Sequence, residues 1–149
     1  MTFIEEKGDL FANDILVEYA LCHCISSDFA LGAGIAKEFA KMGVKKELCE
    51  KFPKQWQGRG YCLITEINGV VVGNLVTKER YFHKPTLVTL RQSLEDLREQ
   101  SVKLDLKKIA MPKIGCGLDK LEWMAVREVI RNVFADTDIE ILVRSFNAL

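Results

Sequence analysis

The chain has 149 residues, 48% of them hydrophobic, enough for one core, and no Pro/Gly/Ser-rich linker divides it, so residues 1–149 read as a single domain. Lys plus Arg total 21 and Asp plus Glu total 21, a balance that excludes the strong positive field of a general nucleic-acid binder and disfavours nucleic acid as a partner. No apolar run approaches the ~20 residues that span a bilayer, and five cysteines with two histidines and no Cys-X-X-Cys point to reduced thiols in a cytosolic or nuclear compartment and to no metal site.

Thr2–Glu6 is a predicted short strand, broken at Lys7-Gly8-Asp9-Leu10-Phe11, where Gly8 lets the chain bend. Asp9 either satisfies its own loop backbone or aims an acceptor at a ligand amino group. Asn13-Asp14 marks a turn. The apolar stretch from Ile15 ends in Ala20-Leu21-Cys22-His23-Cys24-Ile25, a pattern for a strand buried on both faces, with His23 as a packed residue. Ser26-Ser27-Asp28 then leads into Leu31-Gly32-Ala33-Gly34-Ile35-Ala36-Lys37, a glycine loop feeding a helix. Helices are predicted over Ile35–Lys41 and Val44–Phe52, separated at Met42-Gly43 and stopped by Pro53. Basic residues 37, 41, 45, 46, 51 and 54 interleave with Glu38, Glu47 and Glu50, the pattern of a solvated face.

After the polar loop Gln55–Gly60, Tyr61–Ile67 and Val70–Thr77 flank Asn68-Gly69, the dipeptide that tolerates positive φ at both positions of a hairpin turn. Lys78 sits where that second strand gives way to a loop. It is either a solvated lysine or a nucleophile or base, the latter requiring desolvation or a cationic neighbour such as Arg80 or Lys84. Leu87, Leu90, Leu94 and Leu97 predict a helix from Thr86 through Gln100. Lys108–Met111 is a buried strand that halts at Pro112, followed by the glycine loop Gly115-Cys116-Gly117 and a helix predicted over Leu121–Phe134. Ile139–Val143 is the last strand, with Arg144-Ser145-Phe146 at its far end.

Strands and helices alternate, the signature of an α/β layered fold with helices on both faces of a mixed sheet. Two glycine loops at strand C-terminal ends can face each other across a crevice, and unpaired N–H groups with a helix N-terminus make an anion site for which phosphate is the obvious guest. Neither loop is a generic nucleotide fingerprint: no Gly-Lys-Ser/Thr follows the first, and Lys37 occupies its third glycine position.

Lys7–Phe11, His23-Cys24-Ile25-Ser26, Gly32-Ala33-Gly34-Ile35-Ala36, Thr77-Lys78, His83-Lys84-Pro85-Thr86 and Met111–Asp119, in register over nearly the whole chain, resemble the macrodomain family. The resemblance is specifically to the branch of the terminal ADP-ribose protein glycohydrolases, also called O-acetyl-ADP-ribose deacetylases. That resemblance implies a macrodomain, a three-layer α/β/α sandwich with a central mixed β-sheet, acting as a monomer without a cofactor. It also implies a cleft for ADP-ribose, with mono-ADP-ribosylated proteins or O-acyl-ADP-ribose as partners. The implied reaction removes ADP-ribose from glutamate or aspartate esters, or acyl groups from O-acyl-ADP-ribose.

Carried over by position, Asp9 accepts from the adenine amino group, Gly32-Ala33-Gly34 encloses the distal ribose with Ser26 nearby, and Gly115-Cys116-Gly117-Leu118 holds the diphosphate. Leu10, Ile35 and Ile114 complete the ligand-binding set. Lys78 attacks the anomeric carbon, and Asp119 handles proton transfer. The C-terminal segment lacks the tyrosine expected against adenine, which leaves Arg144 or Phe146 to stack there. Two alternatives are a non-catalytic ADP-ribose reader and an ADP-ribosyl-nucleobase hydrolase of the antitoxin type, which shares the lysine. The Asn-rich catalytic loop of the other large hydrolytic branch is missing after Ile25. A thiol enzyme built on Cys116 is disfavoured, because a thiolate would repel a phosphate in that loop.

Overall fold

The computed structural model describes residues 1–52 and 58–146. The predicted stop at Pro53, Lys54, the Gln55–Gln57 part of the polar loop and the terminal Asn147–Leu149 lie outside the described residues. The strands are β1 (Thr2–Lys7), β2 (Ala20–Ser26), β3 (Tyr61–Ile67), β4 (Val70–Lys78), β5 (Lys108–Met111) and β6 (Glu140–Ser145). The helices are α1 (Asn13–Leu16), α2 (Ile35–Lys41), α3 (Val44–Lys51), α4 (Leu87–Lys103) and α5 (Trp123–Phe134).

The strands form a six-stranded sheet in the order β1-β6-β5-β2-β4-β3. Every neighbouring pair is parallel except β3–β4, the predicted hairpin, so the sheet is mixed as expected. Its turn uses Asn68 at φ 50° and Gly69 at φ 83°, the paired positive values that the Asn-Gly dipeptide supplies.

Successive side chains of a strand point to opposite faces, and here both faces are apolar. Leu21, Val72, Val76 and Leu142 pack on one side against Phe39, Val44 and Leu48 of α2 and α3. Cys22, Leu75, Ile109 and Ile141 pack on the other against Leu90 and Leu94 of α4 and Ile130 and Phe134 of α5. The result is the expected three-layer sandwich. Burying each large side chain contributes about 1.5–3 kcal/mol against the entropy of ordering the chain. Helix α4 starts with reciprocal capping: Thr89 N–H donates to Thr86 Oγ1 at 3.2 Å, and Thr86 N–H donates to Thr89 Oγ1 at 3.1 Å.

The ends of β1, β4, β6, α3 and α4 fall within one to three residues of expectation, and two further differences have a physical cause. Asn13–Leu16 closes one turn of helix where only a turn was expected, because Ile15 drops into the core at 3% exposure. Helix α5 starts at Trp123, not Leu121. Lys120 takes a left-handed φ of 59°, and Leu121 N–H donates back to Gly115 O at 2.8 Å, so residues 120–122 belong to the loop.

His23 is fully buried, as expected of a packed residue. Its ring stacks on Phe39 with centroids 3.8 Å apart, and Nε2 lies 2.6 Å from Asn74 Oδ1. Asn74 in turn donates through Nδ2 to Leu63 O at 2.9 Å and Thr65 Oγ1 at 3.0 Å.

Because β2, β4, β5 and β6 run parallel, their C-terminal ends open on one edge of the sheet. That edge carries Ser26, Lys78, Met111 and Ser145. A register shift between Ile25 and Ser26 pairs Ser26 with Lys78 across β2 and β4, which sets the lysine beside the serine.

Candidate active site

A cleft of about 810 Å³ lies on that edge. Its walls come from the ends of β2 and β4 (Cys24, Ser26, Lys78), from the first glycine loop with Ile35, and from Ile114 through Asp119. The two loops face each other as the sequence implied. Gly34 has φ 60°, and a Cβ there would stand 3.5 Å from Leu118 Cδ1, so the tip of the second loop closes on the first. Gly115 has φ 71°, and a Cβ there would meet Leu121 Cδ1 at 2.9 Å. Gly115→Ala is therefore expected to cost about 1–2 kcal/mol from backbone strain, with Leu121 having to shift besides. A lowered denaturation midpoint at unchanged m-value would register it.

Hydrogen bonds within the second loop hold its shape: Cys116 N–H donates to Lys113 O at 3.2 Å and Lys120 N–H to Gly117 O at 3.2 Å. The N–H groups of Gly115, Gly117 and Leu118 have no acceptor among the described residues. All three residues line the cleft. The helix dipole is not part of the same wall, since the lining ends at Asp119 and α5 begins only at Trp123.

The central contact is between Lys78 and Asp119. Lys78 Nζ donates to Asp119 Oδ1 at 2.6 Å, with the two side chains 14% and 13% exposed. Arg80, offered by sequence as a cationic neighbour of Lys78, is exposed and contributes its charge to Asp28 instead. Lys84 donates to Leu118 O at 2.7 Å, which ties the segment after β4 to the second glycine loop. Ser26 Oγ donates to Asp28, whose carboxylate also accepts from Tyr81 N–H at 2.9 Å and Ala30 N–H at 3.2 Å. Partial burial pushes the Asp28 carboxyl upward, but these hydrogen bonds and the charge of Arg80 outweigh it and hold the group below its ordinary value.

Neither thiol in the cleft is a thiolate. Burial, opposed only by the Lys113 charge, pushes Cys116 up to about 11. Burial, with the Asp119 charge and Cys116 adding to it, pushes Cys24 up to about 12 against the pull of Lys78 and the neighbouring Thr77 hydroxyl. A cysteine nucleophile has no support from these environments.

Ser26, Gly32, Ala33, Gly34, Ile35, Lys78 and every named residue from Ile114 to Asp119 line one cleft. Leu10, Asp9, Phe146 and Arg144, also named from the sequence, do not. Leu10 is 3% exposed and spends its side chain in the core beneath α1 and α2. Asp9 is exposed, and its Oδ1 accepts from Phe11 N–H at 2.9 Å within its own turn. Phe146 is 69% exposed and follows Ser145, the last cleft-lining residue of β6. Arg144, the other stacking candidate, is held by Glu6 at 2.7 Å, Asp14 at 3.3 Å and Asp9 O at 3.0 Å. Sequence reasoning missed Tyr81, Ser145 and Asp28. Only Asp28 had a signal, a carboxylate two residues after Ser26 and two before Ala30, the spacing of a local Asx turn.

No protein-family model matches the chain. ADP-ribose glycohydrolase OARD1 of Bos taurus is 43% identical over 141 residues, which is 92% of this chain and 87% of that protein. Its Homo sapiens counterpart is 41% identical over 138 residues, with the same coverage of 92% and 87%. Among solved structures, the macrodomain of Thermus aquaticus DarG superposes with a TM-score of 0.81 at 21% identity, covering 97% of this chain and 98% of that one. Thermosipho africanus DarTG in complex with ADP-ribose gives a TM-score of 0.75 at 18% identity, over 95% of this chain and 41% of that one. With this fold, and with that likeness along nearly its whole length, the chain belongs to the macrodomain family, in the branch represented by ADP-ribose glycohydrolase OARD1.

Proposed function

We propose that the chain is an ADP-ribose-binding hydrolase that removes mono-ADP-ribose from glutamate and aspartate esters on proteins and deacylates O-acyl-ADP-ribose. The observation that carries this reading is the 2.6 Å contact between Lys78 Nζ and Asp119 Oδ1 at the wall of a nucleotide-sized cleft. The OARD1 relatives, named as ADP-ribose glycohydrolases, support it. In this reading the open N–H groups of the second loop take the diphosphate, and the first loop with Ile35 and Ser26 encloses the distal ribose. Ile114 packs beneath the diphosphate. The second carboxylate oxygen of Asp9 accepts from the adenine amino group, with Leu10 fixing that turn from the core and Phe146 free to stack on the base.

An ammonium has no lone pair, so attack requires a proton to leave Lys78 Nζ, and the carboxylate already in contact with it accepts that proton. The neutral amine attacks the anomeric carbon. A C–N bond forms, the ester C–O bond breaks, and its electron pair departs with the carboxylate, a leaving group that needs no acid assistance. Asp119 releases its proton to solvent. As a carboxylate it then takes a proton from the water that attacks the same carbon, the amine leaves with the C–N electron pair, and Asp119 returns the proton to Lys78. Ester and water have become ADP-ribose, a free carboxylate and one proton.

The test is release of ADP-ribose from a protein mono-ADP-ribosylated on glutamate, with the product identified by mass, for wild type and Lys78→Ala side by side. Release by wild type and its loss in the variant, with ADP-ribose still bound by both, is the expected result. Binding without release by wild type would leave a reader in place of an enzyme.

A further inference from the structure

A second cavity, of about 310 Å³, adjoins the main cleft, and Lys78 and Lys84 line both. We infer that this cavity binds a carboxylate carried on the protein side of the scissile ester, so that the chain prefers ADP-ribosylated glutamates flanked by a second acidic group. The inference rests on the hydrolase reading only for the position of the ester. The chemistry of the pocket stands by itself.

Four features make the cavity an anion site. Lys84 has a carbonyl, Leu118 O, as its contact, and no carboxylate pairs with it among the described residues. Arg59 reaches the pocket from the segment before β3 and uses one nitrogen, at 2.8 Å, on Glu79, the one carboxylate in the lining, while the rest of its guanidinium fork has no partner among the described residues. The N-terminus of the long helix α4 opens here through Thr86 and Thr89, so the positive end of its dipole faces the cavity. Thr77, independently of these, lies at the base of the cavity. It is fully buried, and its hydroxyl makes no hydrogen bond of ordinary geometry, the Cys24 thiol being its polar neighbour. A thiol is a weak partner for a buried hydroxyl, and a carboxylate oxygen would satisfy it better.

Position supplies the rest. An ADP-ribosyl ester whose sugar sits against Lys78 carries its acyl half out of the main cleft, and the cavity shares the Lys78 and Lys84 walls with that cleft. The carboxylate has two sources of the same chemistry: the side chain of a neighbouring Asp or Glu, or the chain's own α-carboxylate where the modified glutamate is C-terminal.

The experiment compares four ADP-ribosyl-glutamyl peptides: one with acidic neighbours, one with the amide equivalents, one ending at the modified glutamate as a free acid, and its carboxamide. Affinity is measured on Lys78→Ala, which holds the ester intact, and kcat/KM on wild type. An acidic peptide of either kind is expected to bind about tenfold tighter than its neutral partner, as a charge-assisted hydrogen bond of this class allows. Which pair shows the preference identifies the source. Arg59→Ala, made in the same background, is expected to bring the acidic-to-neutral ratio close to one, and higher salt to shrink it. Arg59 is more than half exposed, so its loss does not threaten the fold. Equal affinity for acidic and neutral peptides, or a preference that survives Arg59→Ala, would overturn the inference while leaving the hydrolase reading intact. A preference in affinity with no turnover by wild type would overturn the hydrolase reading and leave the pocket.

Discussion

Lys78→Arg is expected to be as inactive as Lys78→Ala on glutamate-linked ADP-ribose, each losing about 10³-fold or more in kcat. The arginine is the informative substitution because it preserves what an electrostatic role needs. It keeps the positive charge, reaches the Asp119 carboxylate and fills comparable volume. It cannot be deprotonated in a protein, so it has no lone pair to offer an anomeric carbon. If Lys78 only clamped Asp119 or neutralised charge in the cleft, Lys78→Arg would retain a tenth or more of wild-type activity, and the mechanism would pass to water attack directed by Asp119. Affinity for free ADP-ribose, measured by calorimetry, is expected to stay within about threefold in Lys78→Arg, because in the proposed binding mode the N–H groups of the glycine loops and not the lysine meet the diphosphate. In the proposed mechanism the pair acts as a unit. Lys78→Ala with Asp119→Ala is expected to be no slower than Lys78→Ala alone, since once the nucleophile is gone its proton acceptor has nothing left to accept.

What the sequence made legible here is local, and what it hid is mostly long-range. Asn68-Gly69 announces the β3–β4 hairpin because the turn chemistry lies in two adjacent residues, and their positive φ values bear it out. The glycine loops were equally plain, as Gly34 and Gly115 occupy backbone conformations that other residues adopt only under strain. The contact between Lys78 and Asp119 joins residues 41 apart in the chain. No periodicity encodes it; Lys78 stood out only as a lysine at a strand end, and the family resemblance alone named Asp119 and joined the two. It arises from the parallel order of β2, β4 and β5, which brings the two strand ends to one edge, and from the register shift at Ile25/Ser26. The start of α5 was misjudged for a similar reason. Leu121 fits the apolar spacing of the helix, but a bond to Gly115 O and packing over that glycine hold it in the loop. The small cavity beside Lys78 had no signature at all, since Arg59, Thr77 and Thr86 meet only after β3, β4 and α4 assemble.

The buried histidine leads to an expected acid instability that none of these site residues controls. Burial lowers the His23 imidazole from 6.5 to about 4, against the opposing effect of its hydrogen bond to Asn74. The hydrogen-bond pattern explains why burial wins. Asn74 Nδ2 donates to Leu63 O and Thr65 Oγ1, so its Oδ1 faces His23 as an acceptor and the imidazole proton sits on Nε2. A second proton would have to go on Nδ1, which is buried and without a partner.

The native state therefore takes up this proton only near pH 4, whereas the unfolded chain takes it up near 6.5. Between those values the unfolded state binds more protons, so stability falls as pH is lowered through the window. The fall levels off below about pH 4 at a total of about 3 kcal/mol from this group. Asp28, held below its ordinary value in the fold, adds a separate loss only at more acidic pH. Denaturant unfolding at half-unit steps from pH 7 to 4 checks it, with His23→Gln alongside, a side chain that keeps a donor toward Asn74 but does not titrate. The variant is expected to begin less stable, having lost the stack on Phe39, and to show a shallower slope by up to about 1.4 kcal/mol per pH unit between 6 and 4.5. Parallel slopes in the two proteins would mean that His23 takes up its proton in the native state as readily as in the unfolded one, and that the Asn74 network accommodates the imidazolium.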